Sequence, residues 1–127
     1  MINYEAIHHV SLAVTDIERA KNFYKNVLQF KEIERPNFGF PGAWFQIGSQ
    51  QLHLIVHDHA QTLRTNGGIN SRDGHFAVRI QDYEAALTYL TQQGIEIKSK
   101  PASKSGFKQI FCCDPDGNLI EFNVDQN

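Results

Sequence analysis

Residues 9–20 read HVSLAVTDIERA and residues 75–86 read HFAVRIQDYEAA. Sliding the chain by 66 positions lays the first on the second: His9 falls on His75, Asp16 on Asp82, Glu18 on Glu84 and Ala20 on Ala86. The same shift sets Phe45 on Phe111. Two more residues, taken up by DPDG (114–117), bring LHL (52–54) over IEF (120–122). An internal repeat of this length makes the chain two copies of one small unit.

Each copy has the same grammar. From Ile7 to Val14 apolar and small residues alternate, which predicts a half-buried strand with Val10, Leu12 and Val14 on one face. Asp16 is placed to cap a helix, and Ile17, Ala20, Phe23, Tyr24, Val27 and Leu28 recur at three and four, an amphipathic α-helical stripe. Strands are expected near Lys31–Arg35, at AWFQI (43–47) and at QLHLIVH (51–57), with the loop PNFGFPG (36–42) between the first two. The second copy predicts a strand over 75–80, a cap at Asp82 and a helix with Tyr83, Ala86, Leu87 and Leu90 inward. Gly94 suits the left-handed residue that ends such a helix. Strands follow at IEIKSK (95–100), KQIFCC (108–113) and NLIEFNV (118–124), with DPDG as a tight turn. The reading is an α+β chain, one domain over 1–127, built of two tandem βαβββ modules (about 5–57 and about 73–125). The polar segment from Asp58 to Gly74 links them.

A four-stranded sheet with a single helix leaves one face uncovered. Strand phase then selects what looks out there. If Val10, Leu12 and Val14 face the helix, His9 points to the open side. The same argument turns His53, His75 and Glu121 to the open side, and His57 with them. His8 shares the helix-side phase and is expected to be buried or at an edge. His57 and His59 read as surface or linker residues. Imidazole nitrogens and a carboxylate suit a divalent transition metal such as Fe, Mn, Co, Ni or Zn, and are poorly matched to calcium. His9, His53, His75 and Glu121 are therefore the candidate metal ligands.

The remaining features narrow the class. The 127 residues are 41% hydrophobic and 20% charged, with a net charge of -2, which gives no electrostatic reason to expect nucleic acid or an anionic membrane as partner. The start, MINYEAIHH, lacks the pattern of a signal peptide, and no apolar run approaches a membrane span. Cys112 and Cys113 are adjacent, which argues against a disulfide framework and for a reduced, cytoplasmic protein. They alternate faces, so one is expected in the core, and neither has a basic neighbour in sequence to mark a nucleophile. Trp44, Phe38, Phe40 and Phe107 read as core or dimer contacts in preference to a substrate wall. Arg64, Arg72, Lys104 and Lys108 could meet an anionic substrate tail from the loops, but read first as solvated loop residues.

The paired βαβββ modules, HHVSLAVTDIERAKNFYKNVLQF, GHFAVRI and the ending DPDGNLIEF resemble the vicinal oxygen chelate superfamily, also known as the glyoxalase/bleomycin resistance/dioxygenase family. The resemblance runs from about Ile7 to Val124. It implies sheets that curve into a cleft, a divalent metal at its centre, a small-molecule substrate with vicinal oxygens and a homodimer. It matches His9, His75 and Glu121 to family ligands. His53 stands where glyoxalase I enzymes carry a second glutamate, leaving Glu121 as both ligand and catalytic proton carrier. The activity implied is that of a lyase or isomerase of the lactoylglutathione-lyase type. Metal-free binding or drug-resistance proteins, ring-cleaving dioxygenases and thiol transferases of the same superfamily are the alternatives.

Overall fold

A computed structural model describes residues 1–64 and 68–127. By Cα proximity the chain divides into two units, Met1–Leu63 and Arg64–Asn127, and each is a βαβββ module.

In the first unit, β1 (His9–Val14) leads into helix α1 (Ile17–Lys21), followed by β2 (Lys31–Ile33), β3 (Gly42–Ile47) and β4 (Gln50–Val56). The sheet order is β1-β4-β3-β2, with β1 parallel to β4 and the other pairs antiparallel. Asp16 caps α1 as expected, its carboxylate accepting from the Arg19 N–H at 3.1 Å. The predicted α-helical stripe is only partly realised. From Asn22 to Val27 the backbone winds as a π-helix, with the Leu28 N–H on the Phe23 carbonyl at 2.8 Å. The wider turn goes with two consecutive aromatic residues, Phe23 and Tyr24, that are both buried and meet edge to face at 5.1 Å. They pack with Val14, Ala20, Ala43, Phe45, Leu52 and Leu54 to form this module's core.

The second unit repeats the plan: β5 (Phe76–Arg79), α2 (Tyr83–Gln92), β6 (Lys98–Lys100), β7 (Phe107–Cys113) and β8 (Leu119–Asp125), in sheet order β5-β8-β7-β6. Asp82 caps α2 through the Ala85 N–H at 3.0 Å. Gly94 follows the helix with φ +75°, the left-handed conformation expected of it. Leu90, Ile110, Cys112, Ile120 and Phe122 are buried.

Strand pairing corrects one part of the repeat. Phe111 lies opposite Glu121, and the residue opposite His53 in the first module is Trp44, not Phe45. The offset between copies therefore grows by one residue before β7 and by another before β8. Phe45 faces the helix and Phe111 the open side.

The turn that aligns β7 with β8 is tied by one side chain. Asp114, only 5% exposed, accepts from the N–H groups of Asp116 (2.9 Å) and Asn118 (2.8 Å) and from the Asn118 side-chain amide (2.8 Å). Gly117 completes the turn at φ +86°. Replacing Asp114 by Ala strands these donors, two of them on the nearly buried Asn118. Asp114→Ala should lose about 2–3 kcal/mol of stability in urea unfolding, and Asp114→Asn clearly less. Equal losses in the two variants would disprove this account of the turn.

Candidate functional site

The open face of the first module carries His9 from the start of β1 and His53 from the middle of β4. Ser11 lies opposite His53 across the parallel ladder, and Trp44 lies opposite it on the other side. His53 is 8% exposed and sandwiched: its ring stacks on Trp44 at 4.1 Å and 6°, and on His9 at 4.1 Å and 14°. Its Nε2 meets the Gln51 Oε1 at 2.9 Å, two residues back on the same face. That contact puts the proton on Nε2 and leaves Nδ1 with the lone pair. Burial first, then the charges of His9, His8 and Arg35, push the His53 pKa down to about 4, so the ring is neutral at physiological pH. His9 is exposed. His8 is exposed too and lies at the sheet edge, the second of the two places expected for it; its carbonyl accepts from the Gln51 N–H at 3.1 Å, and its Nδ1 lies 2.9 Å from the His9 Nδ1. His57 and His59 are exposed beyond the end of β4.

In the second module His75 and Glu121, 46 residues apart in sequence, meet directly: His75 Nε2 lies 3.0 Å from Glu121 Oε1. Parallel pairing of β5 with β8 sets Ala77 opposite Glu121. Glu121 is 5% exposed. Its other oxygen, Oε2, accepts from Gln109 Nε2 at 3.0 Å and Asn123 Nδ2 at 2.8 Å. The two amides hold the carboxylate so that Oε1 is the oxygen turned to His75. On the far side of the imidazole, Nδ1 donates to the Asp73 carbonyl at 2.7 Å. With that proton committed, a neutral ring presents the Nε2 lone pair to Oε1. Two lone pairs at this distance need a positive charge between them, either a proton or a metal cation.

As a donor set for a divalent metal, the two pairs differ. Nitrogen and oxygen at 3.0 Å match two adjacent ligands of an ion bound at about 2.1 Å, and the carbonyl on Nδ1 is the usual device for orienting a ligating histidine. The His9 and His53 rings lie nearly parallel, so their nitrogens do not converge in this arrangement, and joint ligation requires one ring to turn. Among the described residues no group of three or more His, Cys, Asp or Glu is arranged so that it could hold a metal ion.

Several side chains escaped sequence reasoning. The Gln109 and Asn123 clamp was missed, although both share the phase of Glu121 on paired strands. Arg64 is not a solvated loop residue: it donates to the Gly117 carbonyl (2.7 Å), the Gly68 carbonyl (3.0 Å) and Asp73 (3.1 Å), tying the link to the turn before β8. It also reaches Cys113, the basic neighbour that sequence adjacency could not reveal, yet burial outweighs it and the Cys113 pKa is raised. Cys112 is the core member of the pair, pushed up to about 12 by burial and by Cys113 and Asp114 beside it. Neither thiol is activated. Of the residues expected as core or dimer contacts, Phe38 and Phe40 are 50% and 45% exposed and so are not core.

The neutral His53 has a measurable consequence. An unfolded imidazole takes up its proton near pH 6.5. The folded state resists until about pH 4, so stability present above 6.5 is lost as pH falls from 6.5 toward 4. In chelator-treated protein, His53→Phe, which keeps a ring in the stack, should flatten this acid limb. Urea midpoints measured across that range check it, and an unchanged limb would refute the assignment.

The sequence matches the family model "Glyoxalase/Bleomycin resistance protein/Dioxygenase superfamily" over residues 6–122. A lactoylglutathione lyase of Neisseria meningitidis is 30% identical over 119 residues, covering 90% of this chain and 86% of that protein. Arabidopsis thaliana Glyoxylase I 4 is 28% identical, covering 94% and 71%. A metallothiol transferase of Staphylococcus saprophyticus is 24% identical, covering 94% and 77%. Among solved structures, a Bacillus anthracis protein assigned to the glyoxalase family superposes with a TM-score of 0.83 at 28% identity, covering 98% of this chain and 99% of that one. With the family model spanning nearly the whole chain and the two βαβββ modules in place, this protein belongs to the glyoxalase/bleomycin resistance protein/dioxygenase superfamily.

Proposed function

We propose that the chain is a divalent-metal-dependent enzyme of the glyoxalase type, a lyase or isomerase acting on a small substrate with vicinal oxygens. His75 and Glu121 are its best-formed ligand pair, and His9 and His53 are further donors. The observation that carries the reading is the His75–Glu121 contact, where a lone pair and a carboxylate oxygen face each other at 3.0 Å with the imidazole tautomer fixed from behind. The relatives named as lactoylglutathione lyases support the reaction class. When bound, such an ion supplies Lewis-acid stabilisation of charge developing on the substrate's two oxygens.

The chain's own residues do the rest. Asp73 fixes which imidazole nitrogen is basic. Gln109 and Asn123 hold Glu121 through Oε2 and leave Oε1, the oxygen turned to His75, to take a proton from one substrate carbon and return it to the next. The stacked, neutral His53 adds no positive charge to the first module's face. Thiol addition is the second reading, favoured by the metallothiol transferase match together with the His, His, Glu content of the donor set.

Metal analysis combined with turnover of the hemithioacetal of methylglyoxal and a thiol tests this. The protein should bind a divalent ion and lose activity on chelation. Glu121→Gln should lower kcat/KM by about 10²–10⁴-fold, and His75→Ala should weaken metal retention by about 10–100-fold or more. Full activity in chelated protein, or wild-type turnover by Glu121→Gln, would overturn it. Consumption of thiol with an electrophile but not of hemithioacetal would shift the reading to transfer.

A further inference from the structure

The two modules differ at one place in a way that leaves a charge unanswered. In the second, Gln109 lies opposite Asn123, and its amide donates to Glu121. The corresponding position in the first module, opposite Ile55, is Gly42. A Cβ there would fall 2.8 Å from the Cζ and Nε of Arg35 and 2.4 Å from the Leu54 carbonyl oxygen, so the absent side chain is what lets the Arg35 guanidinium lie across the sheet. Arg35 thus brings its donor group to the place that Gln109 fills in the other copy. Gln109 has a carboxylate of its own module to donate to; among the described residues Arg35 has none.

The guanidinium is held firmly and satisfied poorly. Its Cζ lies 4.8 Å from the centroid of Phe38 and 5.2 Å from that of Phe40. Nη1 donates to the Phe40 carbonyl at 3.1 Å, while Nε is buried with no acceptor. Among the described residues no carboxylate pairs with it, although a guanidinium has five N–H donors. From this cation an aromatic surface leads to the histidines: Phe38 tilts against Trp44 at 6.1 Å, and Trp44 stacks on His53 at 4.1 Å.

We propose that Arg35, with Phe38 and Trp44, forms a recognition subsite for the oxyanion of a small ligand whose aromatic or apolar body rests on those rings. An oxyanion answers the uncompensated charge, since carboxylate and phosphonate match the planar fork of donors. The rings supply stacking area beside it. The assignment of the subsite to substrate recognition rests on the glyoxalase-type reading, and it makes that substrate anionic; the binding itself does not depend on a metal.

Trp44 is the single tryptophan of the chain, so its fluorescence reports on this place. Chelator-treated full-length protein is titrated with benzoate, phenylphosphonate and uncharged benzyl alcohol. A saturable change is expected with the anions, at least about tenfold tighter than with the alcohol, and the better of the two anions identifies the oxyanion class. Binding should weaken by about tenfold or more in Arg35→Gln. Arg35→Lys should fall between, since charge is kept while the planar fork is lost. Circular dichroism confirms that the variants fold. No saturable response to either anion, anion binding no tighter than alcohol binding, or an Arg35→Gln protein that binds as the parent does would each overturn the proposal. Because metal is stripped, such a failure is independent of the ligand role of His75 and Glu121. Conversely, loss of metal dependence in turnover would leave this binding intact.

Discussion

Parallel pairing of the first and last strands in each module is the constraint on which everything else depends. It sets Ser11 beside His53 in one copy and Ala77 beside Glu121 in the other, side by side despite the residues between them. Closing so long a loop costs little more than closing a shorter one, about 0.6 kcal/mol for each doubling in length. The burial of Leu52, Leu54, Ile120 and Phe122 against the helix side can meet that cost. Because side chains alternate along a strand, the burial that fixes the register also decides which residues reach the open face. A slip of one residue in β8 would turn Glu121 to the apolar side of the sheet and Ile120 to the face that carries His75.

This is why so much of the architecture was legible in the sequence. Alternation at Val10, Leu12 and Val14, and again at Ile120 and Phe122, carries both the strand assignment and its phase. Asp16, Asp82 and Gly94 announce helix ends through local hydrogen bonding and backbone freedom alone. The features that stayed hidden depend on spacing that a repeat of three and four cannot resolve, or on partners far along the chain. The π turn over Asn22–Val27 keeps the apolar residues of an α-helix while changing the pitch. The one-residue growth of the offset exchanged Phe45 for Trp44, because both are aromatic neighbours in one strand. The roles of Arg64 and Arg35 arise from where loops pass over the sheets, which no local pattern encodes.

The histidine at the head of each module shows how a common position acquires different chemistry from its surroundings. His75 is oriented by a backbone carbonyl and faces a carboxylate, so its ring is poised to share a cation. His9 lies flat against a second imidazole that is itself pressed on an indole, an arrangement governed by ring stacking and desolvation. One module concentrates hydrogen-bonded polar groups around Glu121, and the other concentrates aromatic surface around His53.

That divergence also explains why Gly42 and Gln109 can occupy equivalent places without either being a defect. A buried carboxylate must have its lone pairs answered, and Gln109 and Asn123 answer those on Oε2 from within the sheet. A neutral imidazole makes no such demand, so the first module is free to omit the amide and to admit a guanidinium from the β2–β3 loop over bare backbone. The amide–carboxylate set is closed on itself. The guanidinium is anchored by one carbonyl and two rings with its charge left open, and a charge maintained in that way is stable only where water or an anion completes it. The duplication has therefore produced one face organised to hold a carboxylate and another organised to receive an oxyanion.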